Sequence, residues 1–284
     1  MTSVAVLGSL AFVAPTVANA ATQEGNATAN GGQELPQTGH TKAGISFGQA
    51  NPTGNTGYLR LQMVPQILDF GNHTNFDSNH VNFNANGQNV ANSANDRFAG
   101  YKEGANQTAT LNTDNKDLSD VNGKAWATVV DKQDSRAANT DPNTANPGSW
   151  QLDVKADGPL AFIDDSGKAT SKTSDATINF MNTAYGQTGN TVGQVSDLTG
   201  ESQDDGYETA AALKPVSKVT PAQVAVADGS ANSTVAVAAD GEGAGANVFG
   251  WNKSDIILTL PSTFAANNGT YETGLTWTLS TGIK

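Results

Sequence analysis

From Ile45 onward, apolar residues recur at every second position in short runs, the spacing of strands with one buried face, and no segment carries the 3.6-residue stripe of a helix. Tyr58 to Met63 alternates in this way, Pro65 interrupts the pairing, and Ile67 to Gly71 resumes it. Trp126, Thr128 and Val130 share one side of the next predicted strand. Further strands are predicted at Trp150 to Lys155, Ala176 to Met181, Gln223 to Ala227, Ser233 to Ala238, Asp255 to Leu260 and Gly274 to Ser280. Strands this short and numerous predict an all-β fold, an immunoglobulin-like antiparallel β-sandwich with long polar loops. Two polar stretches, Asn72 to Asp120 and Asn182 to Val216, exceed ordinary sandwich connections and are expected to be insertions or binding loops.

The N-terminal region has a different texture. An apolar run from Val4 to Val17 is followed by Ala18-Asn19-Ala20, the small-x-small pattern that signal peptidases cut, although the usual positive residues ahead of the run are missing. Pro15 disfavours a buried helix there. Residues 21–44 are so poor in apolar side chains that they cannot offset their ordering entropy. The expected organisation is a signal peptide over 1–20, a flexible leader over 21–44 and one domain over 45–284. No later run approaches the roughly 20 apolar residues that a membrane-spanning helix needs.

Charge narrows the partners. Fifteen Lys and Arg against 27 Asp and Glu give a net charge of −12, which repels nucleic acid, anionic lipid and bare teichoic acid. Cysteine is absent, so disulfides and thiolate metal sites are excluded. A neutral partner, or one held by local contacts, fits this balance.

Trp150-Gln151-Leu152 and Trp277-Thr278-Leu279 repeat one pattern, each inside an alternating run with one apolar face. Ahead of them stand Val64-Pro65-Gln66-Ile67-Leu68-Asp69-Phe70-Gly71 and the stretch Asp134-Ser135-Arg136; Ile257 to Pro261 and Gly269-Thr270-Tyr271 precede the second Trp. In these features the chain resembles the WxL surface-protein family of low-GC Gram-positive bacteria, over about Ile45 to Lys284. The resemblance implies a cell-wall-binding domain, attached non-covalently to peptidoglycan or another wall glycan at the cell surface. It also implies company: a companion membrane-anchored wall protein and other WxL proteins.

Two roles compete for Trp150 and Trp277. An exposed indole can stack on a sugar ring while nearby Asn, Asp and Gln bind hydroxyls. A Trp alternating with Leu can instead pack between sheets, with Leu152 and Leu279 beside it, and the general burial of Trp favours this. Asp134 and Arg136 are candidates for an ion pair supporting the loop before Trp150, or for a solvated pair contributing at most about 1 kcal/mol. Tyr271 is the supporting residue of the closing hairpin.

Other motifs lack their context. Leu35-Pro36-Gln37-Thr38-Gly39 spells a sortase signal but lies far from the C-terminus. Gly44-Ile45-Ser46-Phe47-Gly48 matches a nucleophile elbow, but Pro52 and Gly54 follow instead of a helix. His40, His73 and His80 have no zinc-site spacing, and Asp164-Asp165-Ser166-Gly167 and Asp204-Asp205-Gly206 read as acidic turns. No cofactor or metal is expected, and no enzyme activity. The alternatives are an adhesin for host matrix or glycan and a wall-acting glycoside hydrolase or amidase.

Overall fold

The computed structural model describes residues 37–43, 59–101, 105–131, 149–164, 166–173, 175–189 and 213–281. The expected signal peptide, most of the expected leader, the Ser46 motif and the Asp204-Asp205 motif lie outside the described residues. Within them the chain is an all-β sandwich. One layer is an eight-stranded sheet of β1 (Gln37–Ala43), β3 (Ile67–Leu68), β9 (Trp150–Ala156), β10 (Leu160–Ile163), β11 (Ala169–Thr173), β14 (Lys218–Val219), β16 (Ser233–Ala238) and β19 (Thr270–Thr281). The facing layer is divided in two. Five strands run in the order β15 (Ala222–Val226), β12 (Ala176–Phe180), β18 (Ile256–Thr259), β5 (Asn82–Asn84), β6 (Gln88–Asn89). Four run in the order β13 (Ala184–Thr188), β17 (Gly245–Trp251), β8 (Ala125–Asp131), β2 (Leu59–Met63). A small ribbon, β4 (Asn72–His73) with β7 (Asp96–Phe98), lies apart.

Most predicted strands are present, and alternation explains their placement. In β12, Ala176, Ile178 and Phe180 are buried while Thr177 and Asn179 are half-exposed, and β15 repeats the pattern. Their inward residues join Trp150, Leu152, Leu275, Trp277 and Leu279 in one core. A second, smaller core lies on the far face of the four-stranded sheet, where Leu111, Leu118 and Val121 cover Trp126, Val130 and Val248. Leu111 and Leu118 of that cover come from the stretch expected to be a binding loop. Residues 72–120 therefore form packed structure over much of their length, and β13 lies inside the other polar stretch.

Part of the stretch expected to be a flexible leader is a strand. Gln37–Ala43 pairs along β19, with Gln37 opposite Leu279 and Gly39 opposite Trp277. Gln37 is buried, and its side-chain oxygen accepts the Leu61 N–H at 3.1 Å. Backbone pairing orders this strand, whose composition predicts none. It also places the Thr38–Gly39 bond within a paired strand of the sheet. A Cβ on Gly39 would lie 3.1 Å from Leu61 Cδ2 and 3.4 Å from Val64 Cγ1, a tight fit. Overpacking typically costs about 1–3 kcal/mol, so Gly39→Val is expected to lower the melting temperature by about 5 °C. Thermal circular dichroism checks this, and an unchanged midpoint would place β1 outside the cooperative fold.

Candidate functional site

The two Trp-x-Leu motifs are neighbours in space. β9 and β19 pair antiparallel with Leu152 opposite Leu279, and Trp277 and Trp150 flank this pair, opposite Val154 and Thr281 respectively. A local twofold axis thus relates the repeats, and both present the same face to the core. Trp150 and Trp277 are wholly inaccessible to solvent, as are Leu152 and Leu279. Trp277 lies against Phe180 and Trp251 at ring separations of 5.6 and 5.9 Å, and Trp150 meets Phe249 edge-on at 6.3 Å. The stacking role for these indoles is thereby corrected: a ring sealed between sheets cannot lie on a sugar. The indole N–H groups of Trp150 and Trp277 have no hydrogen-bond partner among the described residues, whereas that of Trp251 donates to Thr183 Oγ1 at 2.9 Å. The motif tryptophans contribute packing.

β19 leads from this core to an open groove. Tyr271, Thr273, Leu275 and Trp277 lie on one face of the strand, the last two in the core and the first two lining a groove of about 680 Å³. Phe264 meets Phe76 edge-on at 5.2 Å and Tyr271 at 5.1 Å, and Phe162 meets Tyr271 at 5.2 Å, so aromatic rings run from one wall to the other. Exposed amides stand at the rim: Asn75 on one side, Asn267 and Asn268 on the other. The Asn267 N–H donates to the Tyr271 hydroxyl at 2.7 Å, which leaves that hydroxyl's own proton available to a ligand. The loop that carries these residues turns at Gly269, at φ 150°, where a Cβ would lie 2.4 Å from Phe162 Cε2. Only glycine fits beneath the ring.

The opposite wall hangs on Asp69. This carboxylate is fully buried and accepts three backbone N–H groups: Gly71 at 2.9 Å and Tyr101 at 3.0 Å on Oδ1, Gln107 at 2.9 Å on Oδ2. The backbone of the same residue donates to Thr108 Oγ1 and accepts from the Asn106 side chain. Asp69 thus binds the end of the strand-Pro-strand segment to the loop that brings Tyr101 into the groove. Burial, with Glu272 and Asp69 nearby, pushes the Tyr101 phenol well above its ordinary range, so it stays a neutral hydrogen-bonding group. His73 is fixed by Asp96 at 3.1 Å and the Phe70 carbonyl at 2.7 Å, with its ring 4.6 Å from that of Phe83.

Of the residues singled out in the sequence, Tyr271 reaches the groove, and the Trp-x-Leu residues support it from the core. Asp134 and Arg136 lie outside the described residues. Asp164 caps its own turn, accepting from the Ser166 side chain and the Ser166 and Lys168 backbone, and these bonds hold its carboxyl below the usual range. Phe76, Phe264, Tyr101 and Arg97 escaped the sequence reading. An isolated aromatic among asparagines, as in Asn75-Phe76 or Phe264 before Asn267-Asn268, is the local signal they offered.

The family profile of WxL domain surface cell wall-binding proteins matches residues 36–282, nearly the whole chain. No curated protein matches the chain. Nor does any solved structure.

Proposed function

The chain belongs to the WxL domain surface cell wall-binding family, and from that premise we propose that it is exported by residues 1–20 and holds the peptidoglycan glycan in the groove between Phe76 and Tyr271. Attachment to the cell wall at the cell surface is the property of the family. The observation that carries the finer reading is the line of three aromatic rings, Phe76, Phe264 and Tyr271, bordered by exposed asparagines. Pyranose rings have apolar faces that lie on aromatic side chains, and their hydroxyl and N-acetyl groups exchange hydrogen bonds with amides. Such a site holds a glycan without the basic residues that this acidic chain mostly lacks. The role is retention and not turnover, and other wall proteins, including a membrane-anchored companion, would be neighbours on the same surface.

Co-sedimentation with purified Gram-positive cell walls tests this. Phe76→Ala and Tyr271→Ala are each expected to weaken binding about tenfold, the loss typical of an aromatic contact in a binding centre. Asn267→Ala, at an exposed position outside the core, is expected to weaken it less while leaving the melting temperature unchanged. If all three variants pellet like the wild type, the groove is not the wall site. Sugar or peptide released into the supernatant would instead make the chain a hydrolase.

A further inference from the structure

We infer that the groove selects a glycan bearing a carboxylate, with Arg97 as the group that binds it. This rests on the groove being the wall site. The chain carries 27 acidic residues against 15 basic ones, yet among the described residues no Asp or Glu lines the groove, and Arg97 is the one permanent charge among those that do. That is the reverse of what the overall charge predicts. Two carboxylates beside the groove are committed elsewhere. Asp69 is buried on three N–H groups, and Asp96 accepts the Asn89 N–H at 2.8 Å and faces His73. Glu272 follows Tyr271 on the other face of β19 by strand alternation, close enough to act on the Tyr101 phenol but not among the described residues lining the groove.

Arg97 itself is exposed on β7 and makes no ion pair with any described residue; its guanidinium lies 5.3 Å over the Phe98 ring. Stacking on a ring holds the planar fork while leaving its edge donors free, the arrangement suited to a bidentate carboxylate. A neutral polymer of N-acetylated sugars offers this cation hydroxyl and carbonyl acceptors but no charge to pair with. A wall glycan does, because every second sugar bears a lactyl ether whose acid is either free or joined to a stem peptide with carboxylates of its own. The shared chemistry is a carboxylate on an N-acetylated glycan.

The test titrates the full chain by calorimetry with three soluble probes: chitin oligosaccharides, muramidase fragments of peptidoglycan with stem peptides intact, and the same fragments after an amidase has freed the lactyl acid. Arg97→Gln is expected to weaken binding of a carboxylate-bearing probe about tenfold, because a charge-assisted pair is lost. Binding of chitin oligosaccharides should change less than twofold. Arg97→Lys, which keeps charge but not the fork, should fall between. If the loss is confined to amidase-treated fragments, the acid is the sugar's own; if it appears only with intact fragments, the acid is on the peptide. Equal losses for chitin and peptidoglycan fragments, or no loss for any probe, overturn the role of Arg97 while leaving the glycan site standing. Failure of the wild type to bind any of the three overturns the glycan reading and this inference with it.

Discussion

Trp277→Ala is expected to lower the stability of the chain by about 4 kcal/mol and its melting temperature by about 10 °C, because truncating a buried Trp removes transfer energy and leaves a cavity. The ring lies wholly inside, between Phe180 and Trp251, and β19 pairs on its two sides with β1 and β9. Trp277→Phe should cost clearly less, since the indole N–H has no partner among the described residues to lose and an aromatic ring remains. Wall binding by the alanine variant is expected to fall only in proportion to its unfolded fraction. Melting curves alongside co-sedimentation at low temperature check both points. A variant that melts like the wild type but no longer pellets would show that the indole itself touches the wall, against the burial found here.

This result would change what the family's signature motif means. The repetition of Trp-x-Leu arises from two adjacent strands meeting about a local twofold axis, with the two leucines opposite each other at its centre. A motif can therefore be required for wall binding without any of its atoms contacting the wall. What it supplies is the rigid base from which β19 carries Tyr271 into the groove. Functional residues on a strand anchored in the core lose little entropy on binding, which favours affinity.

The sequence made some of this legible and hid the rest for identifiable reasons. β9, β12, β16 and β18 showed themselves because one face is buried and the other is not, so polar and apolar residues alternate. β17 did not: all seven of its residues are buried, one face on each core, and Gly245, Asn247 and Gly250 break any apolar run. β1 has no apolar pattern and is held by its partners on both sides. The groove was the least legible feature. Its aromatic residues come from segments far apart in the chain, each with a single ring among polar neighbours, and only the fold places Phe76 against Phe264. Tyr271 and Phe70 were visible, through the closing hairpin and the strand-Pro-strand segment that carry the family resemblance.

The other large effect belongs to Asp69, a charged residue that the sequence presents as an ordinary strand-end carboxylate. Asp69→Ala removes the acceptor of three backbone N–H groups at once, those of Gly71, Tyr101 and Gln107. A stranded buried donor costs about 1–3 kcal/mol, and partial access of water to this edge of the fold reduces the sum, so a total loss on the order of 4 kcal/mol is expected. Asp69→Asn preserves the shape but turns one acceptor atom into a donor facing an N–H, and about half that loss is expected from it. The loss should be local before it is global. Amide hydrogen exchange at Gly71, Tyr101 and Gln107 should accelerate in Asp69→Asn at temperatures where the core around Trp277 stays protected. Because Tyr101 lines the groove, binding to cell walls should weaken together with that protection. If exchange accelerates at the three amides while wall binding is unchanged, the wall formed by residues 69–108 supports the fold but not the ligand, and the site would narrow to the Phe264–Tyr271 side.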